Sequence, residues 1–336
     1  MRVGIDAMGG DFAPLEPVMG ALEAKDLLEE GDEVVLIGDD STIREHLEGQ
    51  GDWEKFIRIE HASEVIGPGD SPVEAIRQKP DSSIARMAEL AKEKAVDAVI
   101  SAGNTGACVA AAQMRLRRLR GVTRPGIAII IPTYAGPVTM IDVGANVDAR
   151  PHHLHQYALM AAEYSRSICG VQDARVGLLS IGEEDAKGNQ LVKETHELLR
   201  ADPTVQFVGN VEGREMLHGA CDVVVTEAFV GNVALKLIEG LSEGLFRSLA
   251  ADLAKDNPEL AKMFEKAIIR IRDKYDFNAY GGAPLLGVNG IFIICHGASK
   301  RRGITNAIRV AREAASSRVN ERITARVAQC QGPANE

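Results

Sequence analysis

Aromatic side chains are few, 4% of 336 residues with a single tryptophan. Set against 33 glycines, that points to tight strand-to-helix turns rather than aromatic-lined grooves. The cysteines Cys108, Cys169, Cys221, Cys295 and Cys330 are odd in number, scattered, and never spaced C-x-x-C. That spacing argues against a zinc site or a disulfide framework and for a reducing, cytoplasmic compartment. No stretch approaches the ~18 apolar residues of a membrane-spanning helix. The opening MRVGIDAMGGD lacks a basic region followed by an apolar run and is not expected to be a secretory signal. Positive charge is short: the formal net charge is −10, which disfavours a general nucleic-acid binder. G-x-G-x-x-G, G-x-x-x-x-G-K-[ST] and G-x-S-x-G are all missing, so neither a dinucleotide fingerprint, nor a P-loop, nor a nucleophile elbow is present.

What is present is the balance of a soluble globular chain, 45% hydrophobic and 26% charged. Short apolar runs predict strands at 3–6, 33–38, 56–60, 97–101, 126–132, 137–143, 175–181, 205–209, 222–226 and 290–296. Val34-Val35-Leu36-Ile37 and Ile291-Phe292-Ile293-Ile294 carry no polar alternation, the pattern of strands buried on both faces. Helical spacing fills 14–30, 82–94, 104–119, 152–169, 187–200 and 299–328. The alternation predicts an α/β/α sandwich with a mostly parallel sheet, and with no linker in the composition 1–330 reads as a single domain. One stretch, 232–274, breaks the rule. Ile238, Leu241, Leu245, Leu249 and Leu253 recur at helical spacing, and so do Leu260, Phe264, Ile268 and Ile271. Asn257 and Pro258 are suited to cap and start the second run, which predicts a long helical hairpin.

Ligands of open α/β sheets bind beyond the carboxyl ends of strands. There the chain carries turns rich in Gly, Asn, Asp and Ser. They are Asp6-Ala7-Met8-Gly9-Gly10-Asp11, Ser101-Ala102-Gly103-Asn104-Thr105-Gly106, Asp142-Val143-Gly144-Ala145-Asn146, Gly182 to Asn189, Gly209 to Arg214, Phe229 to Asn232 and Tyr280 to Gly290. A glycine-rich turn entering a helix exposes backbone N–H groups to a phosphate or carboxylate. Each is also compatible with an ordinary turn, since Gly and Asn tolerate positive φ.

Taken together, DAMGGD (6–11), KPDSS (79–83), SAGNTGA (101–107), DVGANVD (142–148), IGEE and KGN (181–189), GNVEGR (209–214), FVGNVALK (229–236) and YGGAPLLGVNG (280–290) resemble the bacterial phosphate acyltransferase family of phospholipid synthesis. The resemblance runs over roughly 1–310, in the family's order. It implies a Rossmann-like fold and transfer of a long-chain fatty acyl group from an acyl carrier protein thioester to inorganic phosphate. It also implies a homodimer with peripheral membrane contact. Before FVGN the family commonly has Cys-Asp-Gly, and here Thr226-Glu227-Ala228 stands instead.

Phosphate is already a nucleophile, so such a site has to hold the dianion near the thioester carbon and stabilise an oxyanion. On the matched motifs Lys187 is the candidate for phosphate or oxyanion binding and Asn232 for an orienting amide. Asp6, Gly9, Gly10, Ser101, Gly103, Asn104, Thr105, Gly106, Asp142, Asn146 and Asn189 are candidates to bind phosphate or acyl substrate. His296 suits a capping or hydrogen-bonding role better than protonation of a thiolate that leaves readily. His152 and His155 stand at i, i+3 with no further ligand at spacing, so neither a metal nor a cofactor is expected. For the acidic carrier protein, Arg115, Arg117 and Arg118, with Arg120 and Arg124, form a candidate basic patch. A bilayer is the candidate partner of the hairpin tip, through Leu249, Leu253, Leu260, Met263 and Phe264 beside Lys255, Lys262 and Lys266. Three rivals stand beside this reading: a phosphotransacetylase using coenzyme A thioesters, a nicotinamide-dependent decarboxylating dehydrogenase, and a non-catalytic membrane scaffold.

Overall fold

The computed structural model describes residues 1–256, 264, 266–271, 275 and 277–330. Strand and helix alternate through β1 (Arg2–Asp6), α1 (Leu15–Glu23), β2 (Glu33–Gly38), α2 (Asp40–Leu47), β3 (Ile57–His61), α3 (Pro72–Gln78), α4 (Ser83–Lys92) and β4 (Ala98–Ser101). Then come α5 (Thr105–Arg115), β5 (Gly126–Thr133), β6 (Gly136–Ile141), α6 (Pro151–Ile168), β7 (Val176–Leu179), α7 (Gln190–Ala201), β8 (Phe207–Val211), α8 (Gly213–Leu217) and β9 (Val223–Val225). The long α9 (Ala228–Asp256) follows, then helical residues 266–271 (α10), β10 (Ala283–Leu286), β11 (Ile291–Ile294), α11 (Arg301–Ser316) and α12 (Val319–Cys330).

The strands form one sheet in the order β3-β2-β1-β4-β11-β10-β5-β6-β9-β7-β8. One wing, β3 to β11, is parallel throughout. The other, β6 to β8, is parallel as well. Between them β11–β10, β10–β5 and β5–β6 pair antiparallel. Three reversals mean that the two wings point in opposite directions. The carboxyl ends of β1, β4 and β11 therefore lie at one edge of the sheet and those of β6, β7 and β9 at the other. The rule that a ligand sits at the carboxyl ends thus selects two edges here, and the candidate turns divide between them.

Side chains alternate across the pleat, which builds the two interiors. Ile127, Ile129 and Ile131 of β5 join a core with α3, α4 and α5, while Ala128 and Ile130 join the opposite core with α6 and α12. On that second face α1 and α11 cover the first wing, around Val3, Ile5 and Ile308. The sandwich and its mostly parallel sheet are as the residue pattern predicts.

Three predicted elements change. The expected helix 299–328 is two, α11 and α12, with a turn in which Arg318 takes φ 53°. The Tyr280–Gly290 turn contains β10, which pairs with β5 and β11 and joins the wings. The long helix begins at Ala228 rather than at Asn232. Its start is fixed by Glu227, whose carboxylate accepts the amides of Phe229 (2.6 Å) and Val230 (2.9 Å). The departure Thr226-Glu227-Ala228 is therefore a helix cap, with an anion at the positive end of the helix dipole. Of the predicted hairpin turn, Asn257, Pro258, Leu260, Lys262 and Met263 lie outside the described residues.

Candidate functional site

The first wing's edge is organised by Asp6. Its carboxylate, buried beneath the glycine loop, accepts the Met8 amide (3.1 Å) and the Ser101 hydroxyl (2.7 Å), and the Ser101 oxygen in turn accepts the Gly103 amide (3.0 Å). Burial pushes the Asp6 carboxyl up, opposed by hydrogen bonds from Ser83, Ser101, Met8 and Gly9. Gly9 is required by closeness: a side-chain carbon there would stand 2.7 Å from the Gly103 nitrogen. The Asp11 amide then ties this loop to the Gly297 carbonyl (2.8 Å), so three strand ends are held as one unit.

Asn104 caps α5 through its side-chain oxygen on the Ala107 amide (3.0 Å), and its amide group reaches the Gly67 carbonyl (3.1 Å). The amides of Thr105 and Gly106 have no acceptor among the described residues. They lie at the positive end of an 11-residue helix, in the geometry that receives an anion.

At the opposite edge Asp142 has the same organising role. Fully buried, it accepts from the amides of Ile127 (3.1 Å), Gly144 (3.0 Å), Ala145 (2.9 Å) and Asn146 (2.9 Å), and from the Asn146 side chain (3.3 Å). Burial pushes this carboxyl up and the donated hydrogen bonds hold it down. The Asn146 side chain also reaches the Pro125 carbonyl (2.6 Å) and the Tyr157 hydroxyl (2.8 Å). The first turn of α9 presses on this knot, since a side-chain carbon on Gly231 would overlap the Asp142 carbonyl oxygen. Asn232, one residue on, donates to the Val143 carbonyl (2.9 Å).

From there α9 crosses the sheet face and roofs a cleft of about 950 Å³. Its floor is apolar, formed by Ile127, Ile129, Val143 and Ile294. The roof presents Asn232, Leu235, Lys236, Glu239 and Phe246, and the far end is closed by Thr105 and the His296–Lys300 turn. An apolar trough with a few convergent polar groups, of this size, is the usual form of a small-molecule site. Cys295 also lines it, but burial pushes its thiol up to about 12, so it carries its proton at neutral pH and is no nucleophile.

Of the candidates, Thr105 and Asn232 line the cleft, and Asp6, Gly9, Gly10, Ser101, Gly103, Asn104 and Gly106 support its Thr105 end. Asp142 and Asn146 support its Asn232 end. Lys187 is exposed on the loop between β7 and α7, outside the residues that line the cleft, and Asn189 caps α7 on the Val192 amide (2.9 Å). His155 bonds Asp202 (2.8 Å) rather than joining His152. The basic patch is at the far end of α5 from Thr105. There Arg115 pairs with Glu89 (3.4 Å), Arg118 donates to the Thr123 carbonyl, and Arg117 is exposed. Lys236 and Glu239 are the residues that sequence reading missed. The signal was available: with Asn232, Leu235 and Phe246 they stand at i, i+3, i+4, i+7 and i+14, one face of a helix. The stripe of Leu241 and Leu245 that drew notice is instead 60% and 61% exposed.

The whole chain has known relatives. The family model described as "Fatty acid synthesis protein" matches residues 1–322. A phosphate acyltransferase of Desulfitobacterium hafniense is 47% identical over 96% of each chain. That of Dictyoglomus turgidum is 44% identical over 96% of each. The chain belongs to the phosphate acyltransferase family. Among solved structures, a phosphotransacetylase from Streptococcus pyogenes superposes with a TM-score of 0.61 at 16% identity, covering 94% of both chains. The EutD phosphotransacetylase of Staphylococcus aureus gives 0.60 at 14%, again over 94% of both. At these identities the likeness is one of fold, and the phosphate acyltransferase assignment rests on the sequence relatives.

Proposed function

We propose that the cleft under α9 is where phosphate attacks an acyl thioester. The chain is an acyltransferase with phosphate as acceptor, as its family is named. The observation that carries the location is the pairing of an apolar floor with two amides, Thr105 and Gly106, unpaired among the described residues at a helix N-terminus. An acyl chain lies along Ile127, Ile129 and Ile294, and the phosphate dianion sits at the α5 end between those amides and the Lys236 and Lys300 side of the cleft. A phosphate oxygen bonds to the carbonyl carbon. The carbonyl electron pair moves to oxygen and returns, and the C–S bond breaks with its electrons leaving on sulfur. The products are acyl phosphate and a thiolate that takes up a proton. Asn232 orients the thioester, having one amide hydrogen left after its bond to Val143. Lys187, exposed on the β7–α7 loop at the other edge of the sheet from the Thr105 end, is proposed to bind phosphate or the oxyanion at a contact separate from this cleft. Asp6, Ser101, Asp142 and Asn146 act through the backbone they hold, and Asn189 by starting α7.

The donor in this reading is a long-chain acyl group on acyl carrier protein, recruited through Arg117 and its neighbours. The exposed row Val233, Leu237, Leu241, Leu245 and Leu249 along α9 supports an assembly in which that surface is covered, by a second copy near the sheet and by a membrane surface further out. No helix among the described residues is long and apolar enough to cross a membrane. Acyl phosphate, trapped as its hydroxamate from palmitoyl-carrier protein and phosphate, tests the reaction. Turnover with a coenzyme A thioester alone would favour the phosphotransacetylase reading, and no product from either would leave the scaffold reading.

A further inference from the structure

Attack on a thioester creates an oxyanion that needs a hydrogen-bond donor fixed before the reaction starts. At the end of β11, the Cys295 amide donates to the Ser101 carbonyl (2.8 Å) and the Ser299 amide to the His296 carbonyl (2.9 Å). This tight turn aims the Ala298 amide at His296 Nδ1, 3.1 Å away. A backbone N–H only donates, so Nδ1 is the lone-pair nitrogen and the ring proton is on Nε2. The ring is exposed on the cleft side and lines the cleft with Thr105, Lys236 and Glu239. We propose that His296 is a catalytic residue that offers Nε2–H to the thioester oxyanion. This role rests on the acyl-transfer reading of the cleft.

The step balances without moving the histidine proton. The new bond joins a phosphate oxygen to the carbonyl carbon, and the displaced electron pair on the carbonyl oxygen accepts the Nε2–H hydrogen bond. Collapse breaks the C–S bond, and the proton that hydrogen phosphate carried ends on sulfur through solvent. With Nδ1 occupied by a donor, this imidazole cannot pick up a proton there without losing the Ala298 bond, so it is poorly suited to act as a base. The charged groups around it are Lys236 and Glu239 on α9, Lys300 on its own turn, and Asp11, whose carboxylate faces Gly297. Burial pushes the Glu239 carboxyl up, against the pull of His296 and Lys236.

Histidine ¹⁵N spectra of the full chain, with the His296 signal identified by its loss in His296→Gln, test the tautomer between pH 6 and 8. Nδ1 without a proton and Nε2 carrying one is expected, and a proton on Nδ1 overturns the proposal. Kinetics give the second reading. His296→Phe should lower kcat by about 10²–10³-fold with little change in KM for phosphate, as for loss of an oxyanion donor. His296→Gln, which keeps an N–H, should recover most of that loss. Near-normal kcat in His296→Phe beside an active parent removes this role alone. No phosphate-dependent turnover in the parent removes the acyl-transfer reading and this role with it.

Discussion

Replacing Asp142 separates an architectural carboxylate from one that touches phosphate. In Asp142→Asn the retained oxygen can keep the amides of Ile127, Gly144 and Ala145, but the new NH₂ faces the two donors of Asn146. A donor turned on a donor leaves buried N–H groups unsatisfied, at about 1–3 kcal/mol each. Two such groups give a loss of roughly 2–6 kcal/mol, reduced where Asn146 rotates toward Pro125 or Tyr157. Asp142→Ala orphans four backbone donors in a fully buried site and is expected to exceed that range or to prevent folding. Urea unfolding followed by circular dichroism measures the cost, and active-site-normalised turnover measures the chemistry. The expected result for Asp142→Asn is a large drop in midpoint with kcat per folded molecule within several-fold of the parent. Full stability with lost turnover would refute the reasoning and put the carboxylate on the phosphate.

Lys187→Ala should leave the fold unchanged, because the side chain is exposed, and should lower kcat by about 10²-fold. Near-normal turnover would remove Lys187 from the mechanism. Glu227→Ala should cost about 1 kcal/mol and speed hydrogen exchange at the start of α9, with Glu227→Asp close to the parent. Unchanged exchange there would mean that the cap is not what holds the helix. Glu239 has its folded pKa raised by burial, so below its unfolded value of about 4.3 the folded state loses nothing by it, and stability falls as pH rises through the folded value. Glu239→Gln should therefore raise Tm over the parent more at pH 8 than at pH 4, and an equal shift at both would count against the burial argument. Leu241→Glu with Leu245→Glu should weaken self-association in sedimentation, while Leu253→Glu should reduce flotation with anionic liposomes. Unaltered behaviour in either assay would count against that part of the α9 surface.

The sequence alone determined the layered α/β plan, because β-branched runs without polar alternation are stable only when helices cover both faces. It also determined the family, through glycine- and asparagine-rich strand ends spread over nearly the whole chain. What it left undecided was which of those ends share a site. Asp6 and Asp142 have the same residue pattern, yet they stand at opposite edges of the sheet, because β10 pairs antiparallel with both β11 and β5 and so reverses the second wing. β10 itself was hidden among four residues flanked by glycines, where local pattern suggests only a turn. Lys236, Glu239 and His296 became neighbours by tertiary packing: α9, capped by Glu227, is laid across the sheet toward the end of β11. Local patterns can specify a strand, a turn or a cap, since those rest on contacts close in sequence. A cleft formed by elements more than fifty residues apart depends on strand order and helix direction, which only the folded chain decides.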